Sequence, residues 1–221
     1  MDLRSHSASV MAPAADEYSK NMRAAATAER ERRAFDARQL YLAAAQAKPG
    51  DAAALEGAAR AALLAKDRTA ALEHLRAALK ANPGHDALRE RVAMALMNAG
   101  QLSEAEEEVQ ALLRKRPEDV NLLNLSGVIQ KRRGRFADAI AAFRKGTQLE
   151  PSNHSPWYNL GNTLLGQAEY ADAVPALKRA AELKPKDSET VRLLGQAFLG
   201  LDDHVLGMAA FARALELDPK N

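Results

Sequence analysis

The sequence predicts an all-α solenoid of about six helix-turn-helix repeats, and three observations support this fold class. Small residues and large apolar residues recur in one fixed register. Strand-forming residues are sparse, and no run alternates with a period of two. Six of the nine prolines are spaced by 34 residues, a signature of repeat architectures, and these are Pro49, Pro83, Pro117, Pro151, Pro185 and Pro219.

These prolines divide the chain into repeats when each is taken as position 32 of a 34-residue unit. Proline stops a helix because it lacks an N–H group and clashes with the preceding turn. The array covers residues 16–221, and its repeats are 18–51, 52–85, 86–119, 120–153, 154–187 and 188–221. Residues 1–15 lack the pattern, and we expect them to form a flexible N-terminal lead.

Positions 8 and 24 of the repeat are complementary in size. Position 8 is always small, and in the last three repeats it is Gly127, Gly161 and Gly195. Position 24 is large and apolar, and in the same repeats it is Phe143, Leu177 and Phe211. Protein interiors are close-packed, so this pairing predicts that two helices approach closely at position 8 while position 24 fills the adjoining space.

Each repeat is expected to place helix A at positions 2–14 and helix B at positions 18–31. Gly100 and Gly134 fall in the internal turns, where glycine supplies the left-handed residue that ends a helix. The first repeat has no glycine there, because charged residues fill 29–33. Residues 18–51 therefore form either two helices or one long bent helix.

The fifth repeat carries a recognisable set of residues: Trp157, Leu160, Gly161, Ala173 and Pro185. This set resembles the consensus of the tetratricopeptide repeat family, and the resemblance extends over residues 18–221. Leu164 and Leu177 stand where the family has Tyr and Phe. The resemblance implies a right-handed superhelix whose A helices line a concave groove, in which such proteins bind protein or peptide partners.

The composition excludes several classes of protein. A formal net charge of +2, from 31 basic and 29 acidic residues, argues against a dedicated nucleic-acid surface. No stretch has the length and apolarity of a membrane span. The sequence has no cysteine, which excludes disulfides and is compatible with the cytoplasm, where we expect the protein to be located.

No residue pattern indicates catalysis, a metal site or a cofactor. The five histidines are far apart and form no metal-spaced pair. We interpret His85, His154 and His204 as solvated turn residues. The glycines inside helices belong to the repeat register, and none forms a phosphate-binding loop. The protein is therefore expected to be no enzyme and to bind no cofactor.

Candidate binding residues follow from the expected groove. Helical spacing turns positions 2, 5, 6 and 9 of each A helix towards the same side. Amides there can pair with the backbone of an extended peptide, and arginines can hold carboxylates in a fork. The candidate groove residues are Arg91, Asn121, Asn124, Tyr158, Asn159, Asn162, Arg192 and Gln196.

Three functions remain open at this level. The first is a protein–protein interaction scaffold that binds a partner protein or peptide in its groove. The second, suggested by resemblance to alanine-rich, bacterial-like arrays, is the targeting module of a larger sulfotransferase or glycosyltransferase. The third is self-association through an uncapped last repeat, whose outer face is expected to expose Met208, Phe211, Leu215 and Leu217.

Overall fold

A computed structural model describes residues 8–219. Within this range the chain forms twelve α-helices and no strand. The fold is therefore the all-α helical solenoid that the sequence predicts. The helices are α1 (Ala8–Arg30), α2 (Ala34–Ala47), α3 (Ala52–Leu64), α4 (Arg68–Ala81), α5 (Asp86–Asn98), α6 (Leu102–Leu113), α7 (Val120–Arg132), α8 (Phe136–Leu149), α9 (His154–Gly166), α10 (Tyr170–Leu183), α11 (Ser188–Gly200) and α12 (His204–Leu217).

The helices group into two compact units, one ending at Glu108 and the other beginning at Val109. The division falls inside α6, which contributes residues to both units. In the first unit α1 packs on α2, α2 on α3, and α3 on α4. In the second unit α7 packs on α8 and α9 on α10, while the A helix α9 also contacts the A helices α7 and α11 on either side of it. The A helices of the second unit thus form a continuous layer.

The 34-residue register of the sequence is also the register of the helices. The A helices from α3 onwards begin at Ala52, Asp86, Val120, His154 and Ser188, which are the first positions of successive repeats. The residues just before them act as N-caps in most cases. The side chains of Asp51, His85, Asp119 and Asn153 each accept a hydrogen bond from a backbone N–H group of the first turn.

The recurring prolines follow the B helices closely. Lys48, Glu150 and Lys184 each come between the last residue of a B helix and its proline. All three have φ near −130°, outside the helical region. A proline disfavours helical geometry at the residue before it, because its ring clashes with that residue. At these three B helices the proline therefore sets where the helix ends. The helix α6 ends earlier, at Leu113, four residues before Pro117.

Every internal turn contains one residue in the left-handed region. Four of these six residues are not glycine, although a side chain in this region costs about 1–2 kcal/mol. The turns keep this geometry because packed helices on both sides fix it. The six residues, with φ values between 58° and 78°, are Arg32, Lys66, Gly100, Gly134, Ala168 and Asp202.

Two expectations for the N-terminal part are resolved by the helix bounds. Residues 18–51 contain two helices, α1 and α2, joined by a turn in which Arg32 takes the left-handed conformation. Of residues 1–15, expected to form a flexible lead, residues 8–15 lie in α1. Residues 1–7 lie outside the described range.

The core is built on the predicted pairing of a small residue at position 8 with a large apolar residue at position 24. A Cβ atom added to Gly127 would come within 2.5 Å of the Phe143 ring, and one added to Gly161 within 2.5 Å of Leu177 Cγ. Phe143 and Leu177 are both fully buried. The glycines thus let a B helix approach its A helix closely enough for the large side chain to fill the space between them.

We expect Gly161→Ala to lower the free energy of unfolding by about 1–3 kcal/mol, because overpacking a filled core forces side chains and backbone to shift. Gly166→Ala is the matched control, since no atom beyond its own chain neighbours and helix backbone lies within 4 Å of the Cβ it would add. That change should leave stability equal or raise it by up to about 1 kcal/mol through helix propensity. Chemical denaturation measures both; a Gly161→Ala variant as stable as the control would contradict the packing.

Candidate functional site

The A-helix layer of the second unit carries seven of the eight candidate residues. Asn121 and Asn124 lie on α7, Tyr158, Asn159 and Asn162 on α9, and Arg192 and Gln196 on α11. The eighth, Arg91, lies on α5 in the first unit. The structure therefore does not bring all eight together in one compact body.

Asn124 and Asn159 form an amide pair between neighbouring A helices. The Nδ2 group of Asn159 donates a hydrogen bond of 2.8 Å to Oδ1 of Asn124. Both side chains are half-buried. The bond leaves the NH₂ group of Asn124 and the carbonyl oxygen of Asn159 without another side-chain partner in the described residues. The pair thus presents free N–H donors and a free carbonyl acceptor, which is what a peptide group requires.

The first unit has a pair at the equivalent positions, with different chemistry. Arg91 donates through Nη1 to Oε2 of Glu56 at 2.5 Å. Glu56 and Asn124 both occupy position 5, and Arg91 and Asn159 both occupy position 6 of the following repeat. Adjacent A helices are therefore linked at the same register positions in both units. The link is an ion pair in the first unit and a pair of neutral amides in the second.

Tyr158 lies beside the amide pair and is surrounded by charged and polar groups. Burial raises the pKa of its hydroxyl, and the carboxylates of Glu189 and Asp187 raise it further. The guanidinium of Arg192 and a hydrogen bond from Asn162 act in the opposite direction on this pKa. Tyr158 is therefore a neutral hydroxyl at physiological pH, next to the side-chain amide of Asn162.

His154, which we interpreted from sequence as a solvated turn residue, joins this region. His154 stacks on Tyr158, with ring centroids 5.7 Å apart and an interplanar angle of 22°. Its Nε2 atom lies 3.3 Å from Oγ1 of Thr190 and 3.5 Å from Oδ2 of Asp187. Thr190 is fully buried and donates its own hydroxyl to Asp187. His154 thereby links the start of α9 to the start of α11.

The interpretation of His154 as a solvated turn residue is wrong, because its side chain is only 12% exposed. Burial lowers the pKa of this imidazole, and the nearby Lys184 ammonium lowers it further. The Asp187 carboxylate raises it, but burial prevails. His85 and His204, in contrast, are exposed, and His85 caps α5 by accepting the N–H of Leu88 through Nδ1.

Both candidate arginines already hold a carboxylate. Arg192 donates through Nε and Nη2 to the two oxygens of Glu189, at 2.7 and 2.6 Å. The hydrogen bonds to Glu189 raise the pKa of Arg192, and those from Arg192 lower the pKa of Glu189. Arg91 is bound to Glu56 as described above. A ligand carboxylate would have to displace these partners, so the arginine fork expected from sequence is occupied.

Lys131 is the unpaired cation of this layer. It lies seven residues after Asn124 on α7 and therefore on the same helical face. It is half-buried, and burial lowers the pKa of its ammonium. Within the described residues it forms no ion pair. The layer thus combines neutral amides, one tyrosine and a single unpaired positive charge.

Sequence reasoning missed Asp187, Thr190 and Glu189 and misassigned His154, although their positions carried a signal. Asp187 is the last residue of its repeat, and Thr190 and Glu189 open the next A helix. The starts of neighbouring A helices lie side by side, so residues about one repeat apart at these positions meet. Asn121 and Gln196, which were predicted, are exposed at the edges of the layer.

Within residues 8–219, neither a metal site nor a membrane span is found. Among the residues it describes, no three histidine or acidic side chains are grouped so that they could hold a metal ion. None of the helices in this part of the chain is both long and apolar enough to cross a membrane.

The outer face of α12 carries exposed apolar side chains. Met208 is 64% exposed and Leu215 is 52% exposed, as expected from sequence. Phe211 and Leu217 are only half-buried, which corrects the expectation that both are exposed. The Phe211 ring lies 3.2 Å from where a Cβ atom of Gly195 would be, so it packs against α11.

Comparisons with known proteins agree on the repeat type. Residues 62–127, 120–153 and 158–221 each match a family model described as tetratricopeptide repeat. A search of curated proteins finds no match. Among solved structures, pilF of Pseudomonas aeruginosa matches over 95% of both chains with 15% identity and a TM-score of 0.71. MamA from Desulfovibrio magneticus RS-1 matches over 77% of this chain and 97% of its own, with 19% identity and a TM-score of 0.69. At such identities the likeness shows the fold.

We expect stability to fall as pH drops below about 6.5, the ordinary pKa of histidine. The pKa of His154 is lower in the folded state than in the unfolded state, so the unfolded chain takes up the proton first as pH falls. Protonation therefore stabilises the unfolded state relative to the folded state. Above that pH both states are neutral at His154, and it adds no pH dependence.

The measurement is chemical denaturation at pH 7.5 and pH 5.5, for the wild type and for His154→Gln. The variant should lose less stability between the two pH values. His74, whose pKa burial also lowers, is present in both proteins and cancels in the comparison. An NMR titration that placed the His154 pKa at or above 6.5 would contradict the prediction.

Proposed function

Because the chain belongs to the tetratricopeptide repeat family, we propose that it is a non-catalytic scaffold that binds an extended segment of a partner protein. The binding surface is the A-helix layer of the second unit. Its centre is the set formed by Asn124, Tyr158, Asn159 and Asn162, here called the amide stripe. The family match supports a scaffold, and the arrangement of these four side chains supports the site.

The observation that carries this proposal is the amide pair. One free NH₂ group and one free carbonyl oxygen, held by a mutual hydrogen bond, match the acceptor and donor of a peptide backbone. Because Asn124 and Asn159 already restrain each other, less side-chain freedom is lost when a ligand binds. Tyr158 and Asn162 extend the polar surface along α9.

The charges of this layer favour a ligand that is read mainly through its backbone. Arg192 is neutralised by Glu189, and Lys131 is the unpaired cation described above. A nucleic acid needs several cations free to replace its counterions, which this layer does not offer. A protein segment fits this layer better, because its backbone can form hydrogen bonds with the amides and it needs no more than one positive charge.

The test replaces two amides in the double variant Asn159→Ala with Asn162→Ala. Peptides are first selected on the wild-type protein from a random display library, and their affinities are then measured by fluorescence anisotropy. We expect binding to weaken about tenfold or more, because a hydrogen bond contributes about 0.5–1.5 kcal/mol and 1.4 kcal/mol is tenfold in affinity.

The control is Gln148→Ala, which removes an exposed amide on the B helix α8 and should leave affinity unchanged. Thermal melting of each variant checks that it is folded. Equal affinity of the wild type and the double variant, with both folded, would refute the amide stripe as the binding site.

Self-association is a second candidate, favoured by the exposed Met208 and Leu215 on α12. Exposed apolar clusters on soluble proteins often mark interaction surfaces. We expect sedimentation velocity at micromolar concentrations to give a dimer or larger species for the wild type and a monomer for Met208→Glu with Leu215→Glu. Phe35→Glu, which changes a similarly exposed apolar residue on α2, is the control and should remain associated. A monomeric wild type would exclude this candidate.

A further inference from the structure

The first unit contains an apolar cavity between α3, α4 and α5. Its volume is about 270 Å³. The side chains of Leu63 and Met94 lie at its mouth and are 51% and 40% exposed, while the buried Leu75 lies at its base. Arg68 and Asn98 complete the rim. Large apolar side chains that line a cavity and remain exposed to water favour binding, because a ligand in the cavity would remove their surface from water.

The second unit shows why this space is open in the first. Tyr170 and Gly200 stand three repeats after Arg68 and Asn98, at the same positions of the register. There the Tyr170 ring covers Gly200 so closely that an added Cβ atom would lie 2.4 Å from a ring carbon. The first unit has an exposed arginine in place of the aromatic ring and a larger residue in place of glycine. The volume that Tyr170 fills in one unit is therefore left empty in the other.

Exposed positive charge lies at the mouth of the cavity and beside it, since Arg68 lines the cavity and Lys66 lines an adjoining depression together with Leu63 and Arg68. Lys66 and Arg68 are exposed and, within the described residues, form no ion pair. The carboxylate between them, Asp67, is engaged by Arg38 at 2.9 Å and by the backbone N–H of Ala70. Arg91, which also lines the cavity, is paired with Glu56. Two cations are thus available beside an apolar pocket.

From this arrangement we infer a second binding site, which takes one bulky apolar side chain of a partner protein next to an acidic residue. The cavity is smaller than the roughly 300–1,000 Å³ typical of pockets for drug-sized ligands, so it suits a single side chain. The apolar side chain lies against Leu63, Leu75 and Met94. The acidic neighbour pairs with Arg68 or Lys66.

This site lies in the first unit and uses none of the residues of the amide stripe. Its occupancy therefore does not depend on the proposed function of the second unit. Binding at the cavity by Asn159→Ala with Asn162→Ala should equal that of the wild type, which separates a failure of one site from a failure of the other.

The test uses four synthetic peptides that share a Gly-Ser-Glu background and carry Leu, Ile, Met or Phe beside two glutamates. Titration into the full chain is followed by methyl NMR. We expect at least one peptide to give saturable shifts at the methyl groups of Leu63, Leu75 and Met94. Alanine in place of the apolar residue should abolish the shifts, and lysine in place of the glutamates should weaken binding.

The decisive variant is Arg68→Tyr with Asn98→Gly, which installs the filled arrangement of the second unit and should weaken binding at least tenfold. Arg68→Ala keeps the cavity open and removes one charge, so it should retain the shifts and weaken binding about two- to fivefold, as for an exposed ion pair. If the double variant does not fold, Arg68→Ala still tests the contribution of this charge to binding.

Four outcomes would overturn the inference. The first is that no peptide of the four gives saturable shifts. The second is that the folded, filled variant binds as well as the wild type. The third is that lysine in place of the glutamates has no effect. The fourth is that the Leu63 and Met94 methyl groups shift with protein concentration without peptide, which would identify a second copy of the chain as the occupant.

Discussion

The close approach of each A helix to its B helix is the constraint on which the other features depend. It requires a small residue on one helix where a large apolar residue on the other must fit, as Gly161 fits Leu177 and Gly127 fits Phe143. Interiors packed at near-crystal density tolerate little deviation from such a match. Because the match recurs every 34 residues, the outward-facing positions of the A helices recur with the same period. The surface chemistry can then vary while the backbone beneath it stays the same.

Most of the fold could be predicted because its determinants are local in sequence. The proline spacing gave the repeat starts, and the A helices from Ala52 onwards begin at those starts. The sequence leaves the first repeat ambiguous, because glycine is the sequence signal for a left-handed turn and the first repeat has no glycine there. Arg32 adopts that conformation without being glycine, since the packing of α1 on α2 outweighs a backbone cost of about 1–2 kcal/mol. Turn chemistry thus predicted a turn where glycine is present but could not exclude one where it is absent.

The candidate site could be predicted only as a set of positions. Periodicity placed Asn124 and Asn159 on the same face, and the structure adds that they bond to each other. The carboxylate partner of Arg192, three residues earlier on the same helix, depends on rotamers that the repeat pattern does not encode. His154 was misread because its burial comes from the next repeat, through Thr190 and Asp187. Contacts between neighbouring repeats are what a reading of one repeat at a time leaves out.

Equivalent positions of the register show how one backbone can support different recognition chemistry. At positions 5 and 6, Glu56 and Arg91 satisfy each other's charge, whereas Asn124 and Asn159 leave a donor and an acceptor free. At position 17, Tyr170 fills the space beside the next A helix, whereas Arg68 leaves it open. None of these side chains belongs to the pairing of small and large residues at positions 8 and 24. Variation at positions 5, 6 and 17 therefore leaves the pairing at positions 8 and 24 in place, so the chemistry offered to partners can differ between repeats that share one packing pattern.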